Sequence, residues 1–304
     1  ALSDSSPAVR FAAAMAVGET KYAPAEERLV RMAQDPEVEP DQNAGCAVLY
    51  ALHELGNDEY TYALGRLLFD DDPGVRADAA TVMGRIGEPT ATGPLKTLLA
   101  DEQDESVRLA ARTALARLGD SESKVRLRAY VKGYFLDLRL AAIPALADIN
   151  PPGAQADFRF LLRKEKSPRL RVAAAGALAR LGTVDEQGYD LALRSLRRPR
   201  EVLSAVYGGR EIADVETESM QSLAAIALGY MGRQEAIPAL HEVLDSDRGA
   251  VRVAAAMAIL RITNAGMGAP RRGEDDAADA AEGPVEAAPA VRPRPRMHTA
   301  GGRD

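Results

Sequence analysis

Asp72-Pro73-Gly74-Val75-Arg76-Ala77-Asp78-Ala79-Ala80-Thr81-Val82-Met83-Gly84-Arg85-Ile86-Gly87 is one helix with its start and stop written in. Asp before Pro suits a cap followed by a first turn. Val75, Ala79, Val82, Met83 and Ile86 fall on one face of a 3.6-residue helix, and Gly87 suits a left-handed C-cap. The same phrase returns as Val107-Arg108…Ala111…Gly119, Leu170-Arg171…Ala174-Ala175…Gly182 and Val251-Arg252…Ala255-Ala256. With the Arg as register, copies fall at Arg10, Gly45, Arg76, Arg108, Arg139, Arg171, Gln221 and Arg252. Successive copies are 31 to 35 residues apart, except for one gap of 50 between Arg171 and Gln221. A period of this length means stacked helical hairpins rather than one globular core. The second helix of a unit is read in Leu95, Leu98 and Leu99, and again from Ile237-Pro238 to Val243-Leu244. No segment alternates with period 2, so no strands are expected.

The totals agree. Aromatics are 5% and Trp is absent, so the core must be built from Ala, Leu, Val, Ile and Met. One cysteine, Cys46, excludes an intrachain disulfide framework, and no apolar run is long enough for a membrane span. Ala1-Leu2-Ser3-Asp4 reads as the close of an earlier repeat's second helix, so the chain is expected to begin downstream of a further segment. The Ala, Arg and Asp content suggests a GC-rich bacterial source; no compartment is assigned.

The phrase Asp-x-x-Pro-x-Val-Arg-x-x-Ala-Ala-x-x-Leu-Gly resembles the HEAT-like repeats of the phycobilisome-lyase type. Asp4-Ser5-Ser6-Pro7-Ala8-Val9-Arg10…Ala13-Ala14…Val17-Gly18 follows it nearly word for word, and the resemblance covers about residues 2–263. It implies an all-α, right-handed α-solenoid of about eight HEAT-like helical hairpins. In that family the repeated Arg makes an internal ladder with acidic residues of adjacent turns, which assigns Arg10, Arg76, Arg108, Arg139, Arg171 and Arg252 a structural role. Gly45 and Gln221 mark degenerate copies. The expected organisation is a solenoid over 1–263, interrupted by an insertion at 198–218 that projects from one edge. A Pro/Ala/charged tail over 264–304 is expected to be disordered.

Charge is lopsided about a net −7. Residues 1–111 hold 9 basic and 20 acidic side chains, net −11, whereas residues 112–210 hold 19 and 10, net +9. Two basic clusters stand out. Arg159, Arg163, Lys164, Lys166 and Arg169 surround one turn, and Arg194, Arg197, Arg198 and Arg200 lie one repeat later at the insertion. Equivalent turns of stacked repeats are neighbours, so the clusters are expected to form one stripe. Arg163, Lys164, Lys166, Arg194, Arg197, Arg198, Arg200, Tyr207 and Arg210 are the candidate contacts for a partner protein, with Tyr207 as anchor. A nucleic acid is the alternative partner; HEAT-like DNA glycosylases use such basic surfaces together with Trp, which this chain lacks.

Catalytic groupings are sparse. The similar deoxyhypusine hydroxylases bind two irons through His-Glu pairs, but His53-Glu54 and His241-Glu242 occupy different repeat positions, and the remaining His298 is in the tail. Neither a metal nor a cofactor is expected. Cys46 reads as a small core residue rather than a nucleophile, and Asp70-Asp71-Asp72 as a cap before Pro73 rather than a calcium loop. The chain is therefore expected to be a non-catalytic interaction scaffold, the alternative being a bilin-lyase-like or hydroxylase-like enzyme.

Overall fold

The computed structural model describes residues 1–265 apart from Pro36, Pro40 and Gly209. The expected disordered tail, including His298, lies outside the described residues from 266 onward. Sixteen α-helices and three short 3-10 turns make up the secondary structure of the described residues, with no strand. Seven helical pairs follow one another. They are α1 (Pro7–Thr20) with α2 (Glu26–Gln34), α3 (Gln42–Glu54) with α4 (Tyr62–Leu67), α5 (Pro73–Ile86) with α6 (Thr92–Asp101), and α7 (Glu105–Arg117) with α8 (Ser121–Tyr130). Then come α9 (Leu136–Ile149) with α10 (Ala154–Lys164), α11 (Pro168–Arg180) with α12 (Glu186–Arg197), and α14 (Asp214–Met231) with α15 (Ile237–Glu242). An eighth first helix, α16 (Gly249–Ala265), follows, and α13 (Pro199–Tyr207) is intercalated between α12 and α14. None of the described helices is long and apolar enough to cross a membrane.

The first helices stack in order, α1 on α3 and so through α5, α7, α9, α11 and α14 to α16. Each second helix packs beneath, as α6 does on α7 and α10 on α11. The core is almost wholly small or aliphatic: Ala79, Val82, Ala111, Leu115, Leu146, Leu170 and Leu228 are buried. Among the described residues, Phe158 is the one large aromatic that is fully buried.

Two repeat positions set this geometry. Eight residues after the register, Gly18, Gly84 and Gly229 face the next first helix. A Cβ at Gly84 would stand 2.5 Å from Ala114 Cα, so α5 and α7 meet backbone to backbone. Eleven residues after the register, the chain turns left-handed in all seven hairpins, with φ of 81° at Gly87, 96° at Gly119 and 83° at Gly182. Lys21 at φ 50° and Asn150 at φ 42° hold the same conformation without being glycine.

The register residues tie consecutive turns together. Nη1 of Arg10, Arg76, Arg108 and Arg252 donates to the carbonyl six residues earlier, at Asp4, Asp70, Glu102 and Ser246, over 2.6–3.0 Å. Arg139 and Arg171 donate to Val131 and Leu162 carbonyls. Arg10 also clasps Glu39, Arg76 clasps Glu102 and Arg139 pairs with Glu165, carboxylates in the turn that leaves the same repeat. Arg108 meets Glu105 at 3.3 Å. Gln221, in the copy that lacks Arg, donates to the Leu196 carbonyl at 3.0 Å and so keeps the backbone half of the link.

The insertion does not project. Arg198 sits at φ −136°, ψ 58°, outside the helical region as a residue before Pro should, and Pro199 then opens α13. Leu203 is fully buried and Ile212 nearly so, because a nine-residue amphipathic helix gains more by covering α12 and α14 than by standing in water. The far end of the insertion, 214–218, is the first turn of a lengthened α14.

Candidate partner-binding site

Helix α12 starts at Asp185, which accepts the Gly188 N–H at 3.0 Å, and it buries Tyr189, Leu191, Ala192 and Leu196. That face fixes the opposite one: Arg194 and Arg197 stand exposed in the last turn, where cations suit the helix dipole. Two clefts flank α13. One, of about 280 Å³, is lined by Leu193, Arg194, Arg197, Arg198, Val202 and Ala205. The other, of about 370 Å³, is lined by Arg197, Arg198, Arg200 and Arg248 with Glu201 and Thr217.

These arginines are held by carboxylates both local and distant in sequence. Arg197 meets Glu242 of α15 at 3.2 Å, Arg198 meets Glu201 at 3.4 Å, and Arg200 and Arg248 share Asp214. Arg248 also donates to the buried Thr217 hydroxyl at 2.7 Å. Arg210 binds Glu216 at 2.6 Å, and its guanidinium lies 5.3 Å from the centre of the Tyr207 ring. Burial disfavours ionised Glu216, yet the Ala213 N–H and Arg210 outweigh it and hold the carboxyl below its usual range. Tyr207 is partly buried against the core.

The structure divides the stripe expected from sequence. Arg163 is engaged by Asp185 at 2.6 Å, at the start of α12. Burial opposes the ionised form of Asp185, but Arg163 and the Gly188 N–H prevail and keep it charged. Arg194, Arg197 and Arg198 lie at the other end of that helix, about 18 Å away at 1.5 Å per residue. Lys164 and Lys166 are exposed and make no ion pair among the described residues. Among the described residues, Arg194 reaches only the Asp190 carbonyl. Arg248, Thr217, Asp214 and Glu242 join the site unannounced, since their contacts span 14 to 45 residues.

Elsewhere, His53 Nδ1 meets Asp58 Oδ1 at 2.5 Å beside a cleft between the second and third repeats. No three His, Cys, Asp or Glu side chains among the described residues are grouped to hold a metal ion. Cys46 is fully buried, and burial, with Asp78 nearby, pushes its thiol up to about 12, far from a reactive thiolate.

Residues 37–116 match the family model for HEAT repeats, and residues 221–246 match that for the PBS lyase HEAT-like repeat. No curated protein matches the chain. Among solved structures it is similar to human deoxyhypusine hydroxylase in complex with glycerol, at 18% identity over 82% of this chain and 99% of that one, TM-score 0.34. It is also similar to two engineered proteins: one at 18% identity over 78% of this chain and 96% of that chain, TM-score 0.27, the other at 19% over 86% and 76%, TM-score 0.31. The matched segments are HEAT-type repeats, and the uninterrupted ladder of first helices extends the same helical-repeat fold across the described residues.

Proposed function

We propose that the chain is a non-catalytic scaffold that receives an acidic segment of a partner protein across α12 and α13. One observation carries the reading: the helix that breaks the repeat is flanked by two clefts that share Arg197 and Arg198. The register arginines elsewhere are spent on internal carbonyls and, at Arg10, Arg76 and Arg139, on carboxylates that are buried or nearly so. Here the pairs are solvent-exposed, with side-chain exposures of 44% to 72% for Arg197, Arg198 and Arg200. Such pairs contribute at most about 1 kcal/mol each, so an incoming carboxylate can exchange with them, while the apolar Leu193, Val202 and Ala205 offer contact area beside the charge.

The test is capture of partner from source lysate by the parent chain and by a triple reversal, Arg197→Glu, Arg198→Glu and Arg200→Glu, with and without nuclease. A protein retained by the parent, insensitive to nuclease and lost with the reversal supports the reading. The thermal midpoint should move by only a few degrees, because the lost pairs are exposed. Equal capture by both chains rejects the α12–α13 contact, and capture abolished by nuclease moves the reading to nucleic acid.

A further inference from the structure

The larger cleft beside α13 points to a narrower chemistry than an acidic surface. Four arginines line one space of about 370 Å³, and they come from three separate stretches: Arg197 from α12, Arg198 and Arg200 from the start of α13, and Arg248 from the turn before α16. Arg248 is engaged at all three of its nitrogens, by Thr217, Asp214 and Asp247, whereas the other three are engaged on part of the fork only. Arg198 uses Nη1, Arg200 uses Nη2, and Arg197 uses Nε and Nη2. Among the described residues, Nε and Nη2 of Arg198, Nε and Nη1 of Arg200 and Nη1 of Arg197 have no protein acceptor. The cleft is therefore built from more donors than its carboxylates can use.

We propose that this cleft binds the phosphoryl group of a phosphorylated side chain on the partner protein, an inference that rests on the α12–α13 contact above. A partner carboxylate would replace like with like: it offers two oxygens in one plane, which Asp214, Glu201 and Glu242 already provide. A phosphoryl group carries about −1.5 to −2 charges and three acceptor oxygens. It can accept from forks arriving on several sides at once, which is the geometry that four arginines from three stretches create. Glu201, the weakest holder at 3.4 Å and 70% exposed, is the group it displaces most easily. Arg248, fixed by the buried Thr217 hydroxyl, gives the cleft one preorganised wall.

The experiment is calorimetric titration of the full chain with three probes: inorganic phosphate, a five-residue alanine peptide with a central phosphoserine, and the same peptide with Glu at its centre. The expected result is one site per chain for phosphate and phosphopeptide, with the Glu peptide at least about tenfold weaker. Arg198→Gln with Arg200→Gln should weaken the phosphopeptide about tenfold or more. Both side chains are exposed, so the fold survives, and circular dichroism confirms it. Arg159→Gln, on an exposed face of α10, should bind as the parent does. Equal affinity for the Glu and phosphoserine peptides overturns the phosphoryl inference and leaves the acidic-partner reading standing. So does partner capture that persists after phosphatase treatment. No binding of phosphate or phosphopeptide also overturns it, as does a single-stranded oligonucleotide that binds more tightly than the phosphopeptide and is lost in the same double variant.

Discussion

Gly84→Ala tests whether the stack depends on backbone contact between first helices. The new Cβ would lie 2.5 Å from Ala114 Cα and 2.6 Å from its Cβ, whereas ordinary contact starts at 3.4 Å. Helices α5 and α7 must then part by about 0.9 Å, the difference between those two distances. No rotamer change can relieve it, because the obstacle is backbone. Overpacking of this kind costs about 1–3 kcal/mol, while replacing a mid-helix glycine by alanine gains about 1 kcal/mol in propensity. Gly45→Ala isolates the second effect: Gly45 is also inside a first helix, and its added Cβ would meet nothing within 4 Å. Urea unfolding of the three chains, followed by circular dichroism, should place Gly45→Ala above the parent and Gly84→Ala about 1–3 kcal/mol below Gly45→Ala. Ala114→Gly in the Gly84→Ala chain should recover only part of the loss, since Ala114 Cα remains in the way. Should the two single variants be equally stabilised, the close approach is not a constraint and the account of the small-residue position is wrong.

Two further predictions concern the ladder and the turns. Glu102 is buried and Arg76 holds its carboxyl below the usual range, chiefly by their hydrogen bond. Its contribution is therefore complete above about pH 4.5, its unfolded value, and is lost as pH falls through the lower folded value. Arg76→Ala should cost about 3 kcal/mol at neutral pH by stranding that carboxylate, and should flatten this part of the acid limb in a pH series of urea melts. Lys21 adopts φ 50° where five other repeats place glycine. Lys21→Gly should raise stability by about 0.5–1 kcal/mol in thermal melts, because its ion pair with Glu54 is long and exposed.

The repeat was legible because its signals are local: a cap, a Pro, an apolar face and a closing Gly fall within sixteen residues, and each acts through its own helix. The role of the register Arg could be anticipated from the family resemblance, since its carbonyl acceptor is usually only six residues away. The candidate site was not local. Arg197 is answered by Glu242 and Arg248 by Thr217, across gaps set by how α13 docks. Counting charge along the chain grouped Arg163 with Arg197, but α12 separates them by its length. The insertion was recognised as a break in period, yet the burial of Leu203 was not foreseen, because that needs the groove it fills.

The same reasoning explains where the stack is least regular. The position eight residues after the register holds Gly18, Gly84, Ala116, Ala147, Ala179 and Gly229, all small, but in the second repeat it holds His53 and in the last Leu260. A histidine cannot enter the close contact that Gly84 makes. The second and third repeats accordingly enclose a cleft of about 440 Å³ lined by His53, Asp58, Met83 and Ile86. Arg85 reaches back to Glu19 of the first repeat at 2.7 Å, tying the first and third repeats together. Leu260, with Val253 and Met257, is more than half exposed on α16. A small residue at this position lets α5 meet α7 closely, and Gly176, five residues after the register, does the same for α11 against Ala227 of α14. Helix α13 is placed by a different device, an insertion between α12 and α14, which leaves the ladder of first helices unaltered.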